Sequence, residues 1–128
     1  MSASAPPPPA ELWVVCNARG GPYDFSRGMN QQSGWKDHAA FMNALVDDGF
    51  VLLGGPLQGD REALLICSAP SEDAVRKRLA EDPWAPIGML AVKSIERWTI
   101  VLSPPAVDDF LANVPRASTD VYASAAEL

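Results

Sequence analysis

The feature that most constrains this chain is a set of four short segments that are apolar at successive positions. They are Leu12-Trp13-Val14-Val15-Cys16, Phe50-Val51-Leu52-Leu53, Ala63-Leu64-Leu65-Ile66-Cys67 and Trp98–Leu102, the last of these nearly so. Their length suits β-strands. An antiparallel strand with one wet face alternates apolar and polar side chains. These segments do not alternate, so both faces of the sheet they form need a cover. The helices expected between them can supply only one. The second cover is either another copy of the same sheet, giving a homodimer, or the chain's own C-terminal segment.

The punctuation between these segments sets the order of elements. Met1–Ala10, with four consecutive prolines, reads as a disordered or polyproline leader, and residues 1–11 are assigned to it. After the first strand, Asn17 to Ser33 is rich in Gly, Asn, Ser and Gln and reads as a long loop of the functional or mobile kind. Ser33 is the expected N-cap of a helix running to Asp48. Trp35, His38, Met42 and Leu45 recur there at spacings of three and four, while Lys36, Asp37, Asn43 and Asp47 fall opposite. Gly49 is the natural stop.

The second strand ends in Gly54-Gly55-Pro56, and Gln58-Gly59-Asp60-Arg61 makes a hairpin into the third. Pro70-Ser71-Glu72-Asp73 opens a second helix, with its acids in the first turn where the helix dipole favours them. That helix reaches about Glu81, before Pro83. A fourth strand is expected from Leu90 to Leu102, and a short helix over Val107–Val114 in a C-terminal extension spanning 103–128. The order βαββαβ over residues 12–102 predicts a ferredoxin-like α+β domain, an antiparallel sheet with two helices on one face.

Composition removes several functions. The chain has 128 residues, enough for one core, and a formal net charge of −6 with its lysines and arginines scattered from Arg19 to Arg116. Nucleic acid calls for a clustered positive footprint, so no nucleic-acid partner is expected. No apolar run approaches the roughly 20 residues needed to cross a bilayer, and no membrane association is expected. The N-terminal stretch lacks the charged end and apolar centre of a signal peptide, so a cytoplasmic location is expected. Cys16 and Cys67 each sit in an apolar run and are not spaced like ligands; both are expected to be buried free thiols, with no metal site.

Three stretches, in this order and on these elements, resemble the YciI-like (YCII-related) family. They are Gly34-Trp35-Lys36-Asp37-His38-Ala39-Ala40-Phe41-Met42 on the first helix, Phe50–Leu57 with its Gly-Gly-Pro ending, and Glu81-Asp82-Pro83-Trp84 after the second helix. The resemblance covers Leu12 to Leu102. It implies a dimeric α+β barrel and a site built from the histidine and the aspartate. It also implies lyase or isomerase chemistry on small ring compounds. The Asn17–Ser33 loop is longer than in short members of the family, and the segment after Ser103 lies outside its pattern.

His38, the only histidine, is the side chain suited to moving protons at neutral pH. On its residues alone it reads either as a core histidine bonded to a backbone carbonyl or as a general acid/base. Asp82, held out of helical geometry by Pro83, is either a turn former or the carboxylate that orients His38. Gly54, Gly55 and Pro56 either end a strand or leave room for a ligand. Trp35 and Trp84 are packing or pocket walls, and Trp13 and Trp98 core or sheet-interface residues. Arg19 is an exposed arginine or a clamp for a substrate carboxylate or phenolate.

Two functions follow. One is a small enzyme, with no cofactor expected, in which His38 and Asp82 carry acid/base elimination or isomerisation of a compact cyclic or unsaturated molecule. The other is a ligand-binding or accessory module using the same pocket without chemistry.

Overall fold

The computed structural model describes residues 10–112. The proline run of the leader and the tail from residue 113 lie outside the described residues. Within them, β1 (Glu11–Arg19), α1 (Trp35–Asp47), β2 (Val51–Pro56), β3 (Glu62–Ala69), α2 (Glu72–Leu79) and β4 (Leu90–Trp98) follow in the expected order. α3 (Pro105–Ala112) comes last, and a single 3-10 turn, Met29–Gln31, interrupts the loop before α1. The sheet order is β2-β3-β1-β4, antiparallel throughout. This is an α+β fold of ferredoxin-like topology.

Register decides which side chains meet the helices. Trp13 faces Cys67, Val15 faces Leu65 and Asn17 faces Ala63 across the β1–β3 ladder. Side chains two apart on a strand share a face, so Trp13, Val15, Asn17 and Arg19 point the same way. Trp13 and Val15 join Val51, Leu65, Cys67 and Ile95 in the main core, together with Leu45 of α1 and Val75 and Leu79 of α2. Both helices therefore cover this one face. Trp13 is anchored further by its indole N–H, which donates to the Ala69 carbonyl at 2.9 Å. A second cluster of Tyr23, Trp84, Met89 and Leu90 closes one end.

The opposite face is not covered by α1 or α2. Val14, Cys16, Leu64 and Ile66 are half-buried there, while Leu53 and Trp98 are 65% and 41% exposed. Trp98 is thus no core residue of the single chain, and Cys16 is half-buried rather than buried; both cysteines are free thiols. In α3 Leu111 is buried, whereas Val107 and Phe110 stay exposed.

Two strands differ from expectation at their ends. β1 begins at Glu11 and continues past the apolar segment to Arg19, because its partners do: Ala18 pairs with Glu62, and Arg19 with Leu90. β4 stops at Trp98 rather than Leu102. Trp98 pairs with Leu12, at the very start of β1, and the ladder has no strand left to extend along. α2 is capped as expected, with the Ser71 hydroxyl accepting from the Ala74 N–H at 3.1 Å.

Candidate functional site

The site is built where the start of α1 meets the turn after α2. Ser33 does not cap α1. The N-cap is Gly34, in the left-handed region at φ 75°, with no side-chain cap. The Ser33 carbonyl instead accepts a hydrogen bond from the indole N–H of Trp84 at 2.9 Å. A Cβ on Gly34 would lie 3.2 Å from that indole nitrogen, so sterics as well as backbone conformation select glycine. One turn on, His38 points inwards and is buried.

Asp82 reaches the same point from the other side. α2 ends at Leu79, and Pro83 keeps Asp82 from continuing it. The Asp82 carboxylate, also buried, accepts the Trp84 backbone N–H at 2.9 Å. It lies 2.8 and 2.9 Å from His38 Nδ1 through its two oxygens. An ionised carboxylate only accepts, so it holds the proton of the neutral ring on Nδ1 and leaves the lone pair on Nε2. Nε2 has no hydrogen-bond partner among the described residues. The imidazole lies flat on the Trp84 indole, with centroids 3.8 Å apart and planes 5° from parallel.

In front of the ring is a cavity of about 290 Å³ between α1 and the sheet. His38, Trp35, Met42 and Val46 line it from the helix, Val51, Ala63, Leu65 and Leu90 from the strands. Gly54, Gly55 and Pro56 form one edge. The two glycines do different things. A Cβ on Gly54 would come within 2.6 Å of Leu65 Cδ2, so Gly54 lets β2 close on the cavity floor; at Gly55 a Cβ would meet nothing within 4 Å. Val46, half exposed, marks where the cavity opens to solvent.

Arg19 corrects the reading of an exposed arginine. Its side chain is 3% exposed and lines the cavity with Asn17 and Met29. Nη2 reaches Asp60 Oδ1 at 3.3 Å, and Asp60 also accepts the Tyr23 hydroxyl. Burial, with the Asp60 hydrogen bond second, pushes the Tyr23 phenol up to about 12, so it remains a donor throughout the neutral range. Asp60 is the one non-glycine residue at positive φ, 53°, among the described residues. Its hairpin turn, legible in sequence only as a connection, returns a carboxylate to the buried arginine.

The long loop is tied down rather than loose. Buried Gln32 donates to the carbonyls of Asp24, Arg27 and Gly28 at 2.7–3.3 Å and accepts from the Asp24 N–H at 2.9 Å. Among the sequence candidates, His38, Arg19, Trp35, Gly54, Gly55 and Pro56 meet around the cavity. Asp82 and Trp84 do not line it; both are buried behind His38. Asn17, Met29 and Asp60 were not singled out. The parity of Asn17 and Arg19 with Trp13 and Val15 was the available signal for the first. Met29 and Asp60 reach the site from turns, where no periodicity points. Among the described residues no three His, Cys, Asp or Glu side chains converge as metal ligands do.

No curated protein matches the sequence. Among solved structures, the chain is similar to 5-chloro-2-hydroxyhydroquinone dehydrochlorinase (TftG) from Burkholderia phenoliruptrix AC1100, determined with 2,5-dihydroxybenzoquinone. The two share 22% identity over 69% of this chain and 93% of that one, with a TM-score of 0.48. It is also similar to a structural-genomics protein, YJCS, at 11% identity over 71% of this chain and 98% of that one, with a TM-score of 0.46. Residues 12–99, which carry the sheet, α1, α2 and the His38–Asp82 pair, match the YCII-related domain, and the chain belongs to that family.

Proposed function

We propose that this chain is a small acid–base enzyme, a lyase or isomerase acting on a compact cyclic or unsaturated molecule. The observation that carries the reading is His38, its Nδ1 held by Asp82 and its ring lining an apolar cavity of ligand size. Nε2 takes a proton from a ring carbon or hydroxyl. In an isomerisation the same nitrogen returns that proton at another atom. In an elimination the electron pair it frees expels a leaving group on the neighbouring carbon. Asp82 does not touch substrate: it keeps the lone pair on Nε2 and stabilises the imidazolium formed during turnover. In this reading Arg19, which lines the cavity, holds the oxygen on which negative charge gathers when the proton leaves, and Trp35, Gly54, Gly55 and Pro56 shape the space around the ring.

Membership of the YCII-related family supports this reading. So does the depth of the pair, because a carboxylate and an imidazole removed from water are costly to keep unless they satisfy each other. The test is a screen of purified protein against halogenated and hydroxylated hydroquinones and unsaturated lactones, followed by ultraviolet absorbance. Turnover is expected for one class. His38→Ala should lower it by about 10²–10⁴-fold while the circular dichroism spectrum is unchanged. A variant as active as the parent would sink the proposal.

The active form is proposed to be a homodimer joined through the open sheet face. Leu53, Trp98 and the half-buried Val14, Leu64 and Ile66 present that face as an apolar surface.

A further inference from the structure

We propose that Trp84 is the positioning residue of the His38–Asp82 pair, setting the plane and the tautomer in which the imidazole is presented to the cavity. The role rests on the acid–base reading of His38 above and, of the two readings given for Trp84, departs from the pocket wall. Trp84 is fully buried and lines no part of the cavity, so it cannot touch a ligand there.

Four contacts converge on this one residue. Its ring lies parallel to the imidazole at 3.8 Å. Its backbone N–H holds Asp82 Oδ1 at 2.9 Å. Its indole N–H binds the Ser33 carbonyl at 2.9 Å, at the turn from which α1 and His38 spring. Its edge meets the Tyr23 ring, 88° from parallel.

The geometry gives Trp84 work that Asp82 cannot do alone. A carboxylate bonded to Nδ1 through both oxygens fixes where that nitrogen sits. It leaves the ring free to swing about the Nδ1–carboxylate line. It also does not stop the ring turning over, which would exchange Nδ1 for a carbon and break the bond. A parallel indole opposes both motions, because either one drives the imidazole edge into a fully packed neighbour. The same residue orients the carboxylate through its backbone, so ring and carboxylate are held from one point. The Ser33 bond ties that point to the start of α1.

The test is side-chain NMR on the full-length protein labelled with ¹⁵N and ¹³C, where His38 is the only histidine and its ring signals need no sorting. Wild type, Trp84→Phe and Trp84→Leu are compared at about pH 9, above the ordinary imidazole range. The wild-type ring should show the Nδ1–H tautomer alone, high order at Cδ2 and Cε1, and ring protons shifted upfield by the indole beneath them. Trp84→Phe keeps an aromatic face and should keep the single tautomer. Trp84→Leu should give a mixture of tautomers and a less ordered ring. Both substitutions remove volume and lower the melting temperature, so packing alone would not separate them.

A folded Trp84→Leu protein with the wild-type tautomer and order would overturn the proposal. So would a Trp84→Phe protein that behaves like Trp84→Leu. If Trp84→Leu does not fold, Trp84→Met takes its place with the same expectation. Ring protons of wild-type His38 at random-coil positions would overturn the stack itself. None of these readings needs turnover: a protein that converts no substrate fails the acid–base reading and leaves this test standing.

Discussion

A group of part-buried polar contacts joins β1, the long loop and the β2–β3 hairpin through three side chains. Arg19, Tyr23 and Asp60 share one carboxylate between a guanidinium and a phenol. Tyr23 also carries a pH signature. Its folded value is about 12, mainly because burial disfavours the phenolate, against about 10 in an unfolded chain. Between those values the unfolded chain gives up a proton that the folded protein keeps, so stability falls as pH rises. The contribution is complete below pH 10 and is lost by about pH 12. Cys67, fully buried, is raised to about 12 for the same reason and adds to the slope from about pH 9 upwards. Urea denaturation from pH 8 to 12 should show this decline. Tyr23→Phe should flatten the part above pH 10 and cost about 1–3 kcal/mol at pH 7, because Asp60 loses a donor to a charged group. An unchanged slope in that variant would mean that Tyr23 is not the titrating group.

At the scale of elements, the site depends on how α1 begins. Gly34 stands at φ 75° with Trp84 close by, and neither condition suits a side chain. Gly34→Ala is expected to destabilise the fold by about 1–2 kcal/mol from the backbone alone. It should also push on the indole that backs His38, where a Cβ would come within 3.2 Å. Thermal melts check the first effect, and the NMR resonance of the Trp84 indole N–H, which binds the Ser33 carbonyl, checks the second. A variant that loses stability with that resonance unmoved would place the whole cost in the backbone. The Ser33 reading failed for a related reason. Its residue type suited a cap, but its carbonyl was taken by a tryptophan 51 residues away. A cap signal is local, and the bond that displaced it is not.

For the whole molecule, the question is what covers the second face of the sheet. β1 and β3 are apolar on that side too, through Val14, Cys16, Leu64 and Ile66, with Ser94 and Glu96 of β4 beside them, yet both helices that pack on the sheet sit on the other. Burial of exposed Leu53 and Trp98 against a second copy is the expected outcome. Sedimentation equilibrium at micromolar concentration should return a dimer, and Leu53→Lys, which places a charge on that face, should weaken it. A wild-type monomer would leave the face to another cover, the chain's own C-terminal segment. No helix among the described residues is long and apolar enough to cross a membrane.

What the sequence by itself determined was the order of elements, their type, and the candidates for the site. Those follow from periodicity, from glycine and proline punctuation, and from the family pattern around His38, Gly54-Gly55-Pro56 and Asp82-Pro83-Trp84, all of which act over a few residues. Tertiary structure alone decided which candidates meet. His38 and Asp82 lie 44 residues apart and touch because α1 and the turn after α2 pack on one face of the sheet. Arg19 is buried because the hairpin carries Asp60 back over it, and Trp84 sits behind the histidine rather than in the cavity. β4 ends where β1 begins, although apolar Ile100, Val101 and Leu102 follow close behind it. In each case the deciding contact lies between parts of the chain far apart in sequence, and its geometry exists only once the sheet has paired and the helices have docked.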